Sequence, residues 1–207
     1  MEMSLSRALG ELKMLAKRIE KVNDELMPID MVINKKCAIG KSTDDFVNSA
    51  RADNQSSKDL TKRYNTIKTA LILANATTDV FIAGIKYTIA GVIERKNSIA
   101  FDKGRLFRLR KVLAETRTAI VRHNERALMN CDKSAGEVLG KESVAIKDGQ
   151  YTTFYNQYMG THEASMIDPI NIEKEIKDLE DEINAFEMEV DISLSEANAR
   201  TMITIPD

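Results

Sequence analysis

The side chains with the clearest chemical potential are a group of aromatic residues in the last third of the chain. Tyr151, Phe154, Tyr155 and Tyr158 recur at intervals of three and four residues, which places them on one face of a predicted helix. Tyrosine rings can stack on a nucleobase and their hydroxyl groups can hydrogen-bond a phosphate or a ribose, but such a stripe also serves as a packing face. His162 follows this group and is the histidine better placed to contact a ligand or to shuttle a proton. The group therefore predicts either a packed helix or a nucleotide-binding surface.

Charge is segregated along the chain in a way that the formal net charge of −2 conceals. The stretch from Asp102 to Arg126 holds eight basic residues, six of them arginine, against three acidic ones; the stretch from Asn171 to Glu196 holds ten acidic residues against two lysines. One interpretation is that the two stretches form helices whose flanking charges select each other, as in coiled coils. The other is that some basic residues line a pocket for a phosphate-bearing ligand, which arginine recognises through its planar fork. In that interpretation the phosphate contacts are Arg95, Lys96, Arg105 and Arg108, and the stacking residues are Tyr151, Tyr155 and Tyr158.

No set of residues has the spacing of a catalytic or metal site. Gly40-Lys41-Ser42 resembles the end of a phosphate-binding P-loop, but that pattern requires a glycine where this chain has Lys35. The two cysteines and two histidines show no ligand spacing. We therefore expect a protein without catalytic activity, metal or cofactor. A nuclease or hydrolase would require His162 to face Cys131 or a cluster of carboxylates.

The composition also argues against two classes of partner. A nearly neutral chain has no general attraction to polymeric nucleic acid or to an anionic membrane, and the acidic stretch opposes binding along a phosphate backbone. The longest apolar runs fall well short of the roughly 18 to 20 residues that span a bilayer. We expect a soluble, cytoplasmic protein.

Apolar residues recur at helical spacing in four stretches, which predicts long helices that each bury one stripe. The four series run over Leu5–Leu26, Leu60–Ala74, Ile99–Ile120 and Ile172–Val190. Because hydrophobic residues make up 43% of the chain and aromatic residues only 5%, a mostly helical, antiparallel coiled-coil fold is favoured over a sandwich or a doubly wound sheet. We expect residues 1–207 to form a single domain, with coiled-coil helices over 1–79, 89–130 and 170–199 and loop-rich segments over 28–58 and 130–169.

The strongest strand signal lies in residues 80–88. β-Favouring residues flank Ala83-Gly84, which predicts a short hairpin, and Thr88 is placed to cap a helix that begins at Ile89. Leu71–Ile82 resembles Leu194–Ile205, and both predict a helix, an asparagine in the left-handed region and a short strand. The strand within 201–205 is then expected to add a third strand to the hairpin, in the same chain or across an oligomer, so that 80–88 and 201–205 form one small sheet.

Several motifs spread over most of the chain resemble those of a known class of proteins. They are Ser4–Lys13, Asn75–Thr78, Ile82–Gly84, Tyr87–Ala90, Ile93–Ile99, Ile167–Pro169, Val190–Asp191 and Leu194–Ala199. They resemble small coiled-coil proteins encoded by bacteriophages and prophages of Gram-positive bacteria, and the layout is similar to the septicolysin-like coiled-coil family, whose members form homo-oligomers. Gly91 departs from this pattern, since such proteins are expected to have glutamate there.

The resemblance implies a phage-encoded homo-oligomer that acts in the host cytoplasm. Some phage proteins of this kind sequester nucleotide-derived immune signals of the host, such as those of Thoeris defence. The resemblance and the charge pattern together imply a non-catalytic anti-defence protein that binds an anionic small molecule, such as a cyclic nucleotide or an ADP-ribose derivative, between subunits. The alternative is a structural or assembly protein of the virion, or a coiled-coil protein-interaction module, which binds a larger protein and is indifferent to small anions.

Overall fold

The fold is mostly helical, with small antiparallel sheets of two strands, as the composition and the apolar periodicity predict. The computed structural model describes residues 1–34, 36–37 and 39–206. In chain order its elements are β1 Glu2–Ser4, α1 Leu5–Glu25, β2 Val32–Ile33, β3 Lys36–Cys37, α2 Thr43–Thr77, β4 Asp79–Ile82, β5 Ile85–Thr88, α3 Ile89–Val138, α4 Lys141–Ile146, α5 Gly149–His162, α6 Ile172–Arg200 and β6 Met202–Thr204. Among these helices, none is both long and apolar enough to cross a lipid bilayer.

The chain divides into two compact units, whereas the sequence analysis treats it as a single domain. Unit 1 comprises Met1–Asn97 and Ala185–Asp207, and unit 2 comprises Ser98–Asn184. Helices α3 and α6 each contribute residues to both units. A continuous helical period gives no sign of such a division, because the apolar stripe passes through the boundary without a break.

In unit 1, helices α1 and α2 pack against each other along the predicted stripes. Leu5, Ala8 and Leu12 of α1 are buried, as are Ile67 and Leu71 of α2. Polar contacts beside this seam join Arg63 Nε to Glu11 Oε1 at 3.0 Å and the Ser57 hydroxyl to Asn23 Oδ1 at 2.7 Å. The two helices therefore stabilise each other by apolar burial, with charged and polar pairs along the rim.

Unit 1 also contains the predicted hairpin. Strands β4 and β5 pair antiparallel, and Ala83 and Gly84 have φ angles of 50° and 76°, as a type I′ turn requires. The Thr88 hydroxyl accepts a hydrogen bond from the Gly91 N–H at 3.0 Å and so caps α3. A Cβ atom on Gly91 would lie 3.3 Å from Thr88 Oγ1, so glycine suits this cap and the helix begins at Ile89 despite the missing glutamate.

The hairpin and its flanking helices have a counterpart built from the two ends of the chain. Thr78, between α2 and β4, donates its N–H to Ala74 O at 2.9 Å and accepts the Ile89 N–H at 3.0 Å. Thr201, between α6 and β6, makes the matching bonds with Ala197 O at 2.9 Å and Leu5 N–H at 3.0 Å. The Ser4 hydroxyl caps α1 by accepting the Arg7 N–H, as Thr88 caps α3. Helix, threonine, strand, strand and capped helix therefore occur twice, in agreement with the similarity of Leu71–Ile82 to Leu194–Ile205.

The prediction of one three-stranded sheet is wrong, because β6 pairs with β1 and not with the hairpin. The register joins Met3 to Ile203, and both side chains are buried together with Ile205. Strand β1 has only three residues, which are too few to show a strand period, so β1 was not predictable from local pattern. The predicted left-handed asparagines are also wrong, since Asn75 and Asn198 lie inside helices. The chain leaves α2 at Thr78 with extended angles.

The segments predicted to be loop-rich are largely helical. Helix α2 begins at Thr43, where Ser42 caps it by accepting the Asp45 N–H at 3.2 Å, so only the first part of 28–58 is irregular. Residues 130–138 continue α3, and α4 and α5 occupy much of the remainder of 130–169. Lys35, the residue that departs from the P-loop pattern, lies outside the described residues.

Candidate functional site

Helix α5 presents the predicted aromatic group in unit 2, and its first turn fixes the position of that group. Asp148 caps the helix by accepting the Tyr151 N–H at 2.8 Å, and its other carboxylate oxygen accepts the Ser143 hydroxyl at 2.8 Å. These hydrogen bonds, the first of them most strongly, lower the pKa of Asp148. The cap therefore anchors the start of α5 to the end of α4.

Tyr151 is a packing residue and not an open stacking surface. Its side chain is buried, and its hydroxyl donates to Asp132 Oδ1 of α3 at 2.5 Å. This bond, followed by burial and by the negative charge of Asp132, raises the pKa of Tyr151 to about 12. The Tyr155 ring stacks beside it with centroids 6.1 Å apart. Asp132 is thus a site residue that the sequence analysis missed, because only the docking of α5 on α3 brings the two together.

The same helix face covers a small apolar core on α3. Met159 of α5 is buried with Ala127 and Cys131, and Phe154, Tyr155 and Tyr158 pack against this cluster. The Cys131 thiol is fully buried, and burial, followed by the charge of Asp132, raises its pKa. A thiol in this environment is a poor nucleophile. Because His162 is exposed, the arrangement gives no support to a hydrolase built on His162 and Cys131.

The accessible part of the aromatic group is a shallow cavity around Tyr158 and His162. These two rings stack with centroids 4.1 Å apart and planes at 8°. His162 Nδ1 lies 2.8 Å from the Tyr158 carbonyl oxygen, which can only accept, so we place the ring hydrogen on Nδ1. In that tautomer Nε2 is the acceptor nitrogen. A cavity of about 320 Å³ is lined by Phe154, Gln157, Tyr158, Thr161 and His162.

Several basic residues of α3 pair with acidic residues of α6. In unit 1, Lys96 Nζ lies 2.6 Å from Asp191 Oδ1, and the Arg95 guanidinium lies 5.7 Å above the centre of the Phe186 ring. In unit 2, the partly exposed ion pairs are Arg105–Glu175 and Arg110–Glu180, each at 2.5 Å, and Arg117–Glu173. The charge segregation therefore serves, at these positions, to pair α3 with α6. Arg108 makes no ion pair with any residue in the described part of the chain.

Within unit 2, Arg105 and Arg108 lie far along α3 from the part that faces the aromatic group of α5. His123, whose Nε2 donates to the His162 carbonyl oxygen at 2.8 Å, marks the level of α3 that faces the end of α5. Arg105 precedes His123 by 18 residues on α3, which is about 27 Å along a helix. Sequence spacing could not show this separation, because it does not fix where α5 packs along α3.

The other candidate sites have structural roles. Ser42 of the P-loop-like tripeptide is the cap of α2, and Gly40 adopts a φ angle of 83° in the preceding turn. Cys37 is buried in β3, and burial, followed by the charge of Asp30, raises its pKa. Within residues 1–34, 36–37 and 39–206, no three His, Cys, Asp or Glu side chains are grouped so as to hold a metal ion.

Helix α3 also carries an exposed apolar row that the sequence analysis missed. Its members stand seven residues apart in unit 2 and are exposed: Ala100, Phe107, Ala114, Val121 and Leu128. The Phe107 side chain is 69% exposed, and Phe101, which lies outside this row, is 80% exposed. The sequence shows this row as apolar residues that repeat every seven positions, beside the apolar series predicted for the same helix. We call this set the α3 row.

Comparison with known protein families, curated proteins and solved structures finds no match to this chain.

Proposed function

We propose that this protein is a non-enzymatic interaction module whose helices dock onto a larger protein partner. The α3 row carries this proposal. Phe107, Val121 and Leu128 are large apolar side chains of this row that stay exposed, which is costly in water, since burial of apolar surface contributes roughly 25 cal/mol per Å². Exposed apolar residues grouped on one helix face mark protein interaction sites.

The charges beside the α3 row favour a partner helix with acidic flanks. Arg108 and Arg122 are exposed on α3 against Glu125, while Lys111 and Glu115 pair with each other at 3.8 Å. A second copy of α3 would present the same excess of positive charge, which opposes pairing of two rows. An amphipathic helix with an apolar stripe and acidic flanks would bury the row and complement the excess. This is the structural or assembly role that the sequence analysis gave as its alternative.

Site-specific photo-crosslinking tests this proposal in cells that make the protein. A photoreactive amino acid replaces Phe107 in one variant and Ala119, an exposed residue of α3 outside the row, in the matched control. We expect one discrete adduct with a larger protein at position 107 and none at 119, and we expect Phe107→Lys to abolish capture by a probe at Val121. Equal adducts at both positions, or adducts only between two copies of this chain, would refute the proposal.

A second candidate function is capture of an anionic small molecule at the cavity beside His162. Its support is the stacked pair of Tyr158 and His162, which offers an aromatic surface and one ring nitrogen as an acceptor. It ranks second because none of the residues that line this cavity is a lysine or an arginine that could pair with a phosphate. Such a site fits the sequestering, anti-defence role that the resemblance implies.

Calorimetry distinguishes the two functions. Titration with cyclic nucleotides and with ADP-ribose should give saturable heat that His162→Ala removes, while Thr153→Ala, an exposed change on α5, leaves it intact. If no ligand gives heat and the purified protein contains no nucleotide, the small-molecule function is refuted. That result would not affect the proposal of a protein partner.

A further inference from the structure

Within unit 1, the internal repeat makes α2 equivalent to the last part of α6, and the exposed faces of the two differ. Thr78 and Thr201 close the two helices with the same pair of hydrogen bonds. Counting back from these residues, Ile67 corresponds to Val190, and both are buried. The same count matches Asn65 with Met188 and Thr69 with Ile192. One helix therefore carries small polar residues where the other carries large apolar ones.

The exposed face of α2 forms a groove, which we call the α2 groove. It encloses about 810 Å³ and is lined by Ser57, Lys58, Thr61, Lys62, Asn65, Thr66, Thr69, Ala70, Leu73 and Pro206. Most of these side chains are short, so they leave space above the helix. Ala70 and Leu73 give the lining an apolar part, and Lys58 and Lys62 are its charged members among the described residues.

The exposed face of α6 is a ridge of opposite character, which we call the α6 ridge. Met188 and Ile192 stand four residues apart on one face and are 78% and 64% exposed. Asp191 lies three residues after Met188, and Glu196 lies four residues after Ile192, so the two acidic residues flank the ridge on its two sides. Their contacts with Lys96 and Arg200 leave both carboxylate groups largely accessible.

We infer that the α6 ridge of one copy docks into the α2 groove of a second copy. Protruding Met188 and Ile192 fit a groove of short side chains with an apolar part, and the acidic flanks of the ridge match Lys58 and Lys62. One chain carries both complementary faces, so a second copy is the partner that the charges and shapes of the ridge and the groove specify. Because ridge and groove are different surfaces, the contact is head-to-tail and repeats from copy to copy until a ring closes. This contact between copies is independent of the partner that occupies the α3 row.

Complementation between two disabled variants tests the head-to-tail arrangement. The ridge variant carries Met188→Lys and Ile192→Lys, and the groove variant carries Lys62→Glu and Thr69→Glu. Both sets of side chains are exposed, so circular dichroism and melting should match those of the unaltered protein. The matched control is Lys68→Glu, which makes the same charge change as Lys62→Glu but at a residue of α2 outside the groove lining.

Sedimentation equilibrium should show the unaltered protein and the Lys68→Glu control as oligomers of the 23.2 kDa chain. Each disabled variant should be monomeric, with self-association weakened by roughly a hundredfold, because an unpaired charge in an interface costs several kcal/mol. An equimolar mixture should form one-to-one dimers, since it still contains one intact ridge and one intact groove. A monomeric unaltered protein, oligomers that survive both sets of substitutions, or a mixture that stays monomeric would each overturn the inference, and none of these results bears on the α3 row.

Discussion

Replacing Tyr151 with phenylalanine should destabilise unit 2 in a way that depends on pH. The Tyr151 side chain is only 4% exposed, and its hydroxyl donates to Asp132 Oδ1 at 2.5 Å. A hydrogen bond to a charged group contributes about 1.5–3 kcal/mol. Phenylalanine keeps the buried ring and its stacking beside Tyr155, so the loss should come from this bond alone.

The raised pKa of Tyr151, which the same hydrogen bond causes first, predicts how this contribution depends on pH. The folded chain holds this pKa at about 12, while an unfolded tyrosine ionises near about pH 10. Between these values the folded form binds more protons than the unfolded form, so stability is fully present below pH 10 and falls as the pH rises towards 12. A pKa difference of about 2 corresponds to about 2.7 kcal/mol.

Urea unfolding followed by circular dichroism measures both effects. At about pH 8, Tyr151→Phe should lower the free energy of unfolding by roughly 2 kcal/mol, and the difference from the unaltered protein should shrink as the pH approaches about 12. Tyr155→Phe is the matched control, because it removes a phenolic hydroxyl from the same helix face. If both variants match the stability of the unaltered protein at pH 8, or if the difference does not change with pH, the reasoning fails.

Three further predictions concern the elements that hold the fold. Ser4→Ala and Thr88→Ala should each cost about 1 kcal/mol in thermal or urea unfolding, because each removes the cap of an equivalent helix; a loss at only one position would contradict the equivalence. Gly84→Ala should cost about 1 kcal/mol, since alanine must adopt the left-handed φ of 76°, and an unchanged melting temperature would contradict this. A double-mutant cycle on the partly exposed Arg105–Glu175 pair should give a coupling below about 1 kcal/mol that declines with added salt; a larger coupling that salt does not affect would show that the pair is shielded from solvent.

The sequence predicted those parts of the candidate site that depend on one helix. The periodicity of Tyr151, Phe154, Tyr155 and Tyr158 predicts a helix, which the structure confirms, and Tyr151 is buried in it. The partner of Tyr151 was not predictable, because Asp132 is one of many acidic residues and only tertiary docking selects it. The separation of Arg105 from His162 was equally hidden, since helical spacing places residues around an axis but does not say which levels of two helices meet.

The two β-ribbons show the same limit for the fold. The ribbon of β4 and β5 closes through Ala83-Gly84, so a local turn signal was enough to predict it. The ribbon of β1 and β6 has equivalent hydrogen bonds, and its open end is held by the Met1 amino group and the Ile205 carbonyl oxygen at 2.9 Å. These strands are joined by nearly the whole chain, and the entropic cost of closing a loop grows with its length. Equivalent local contacts therefore depend, in the second ribbon, on the prior docking of α1 on α2 and on the burial of Leu5, Ile203 and Ile205, which no short window of sequence contains.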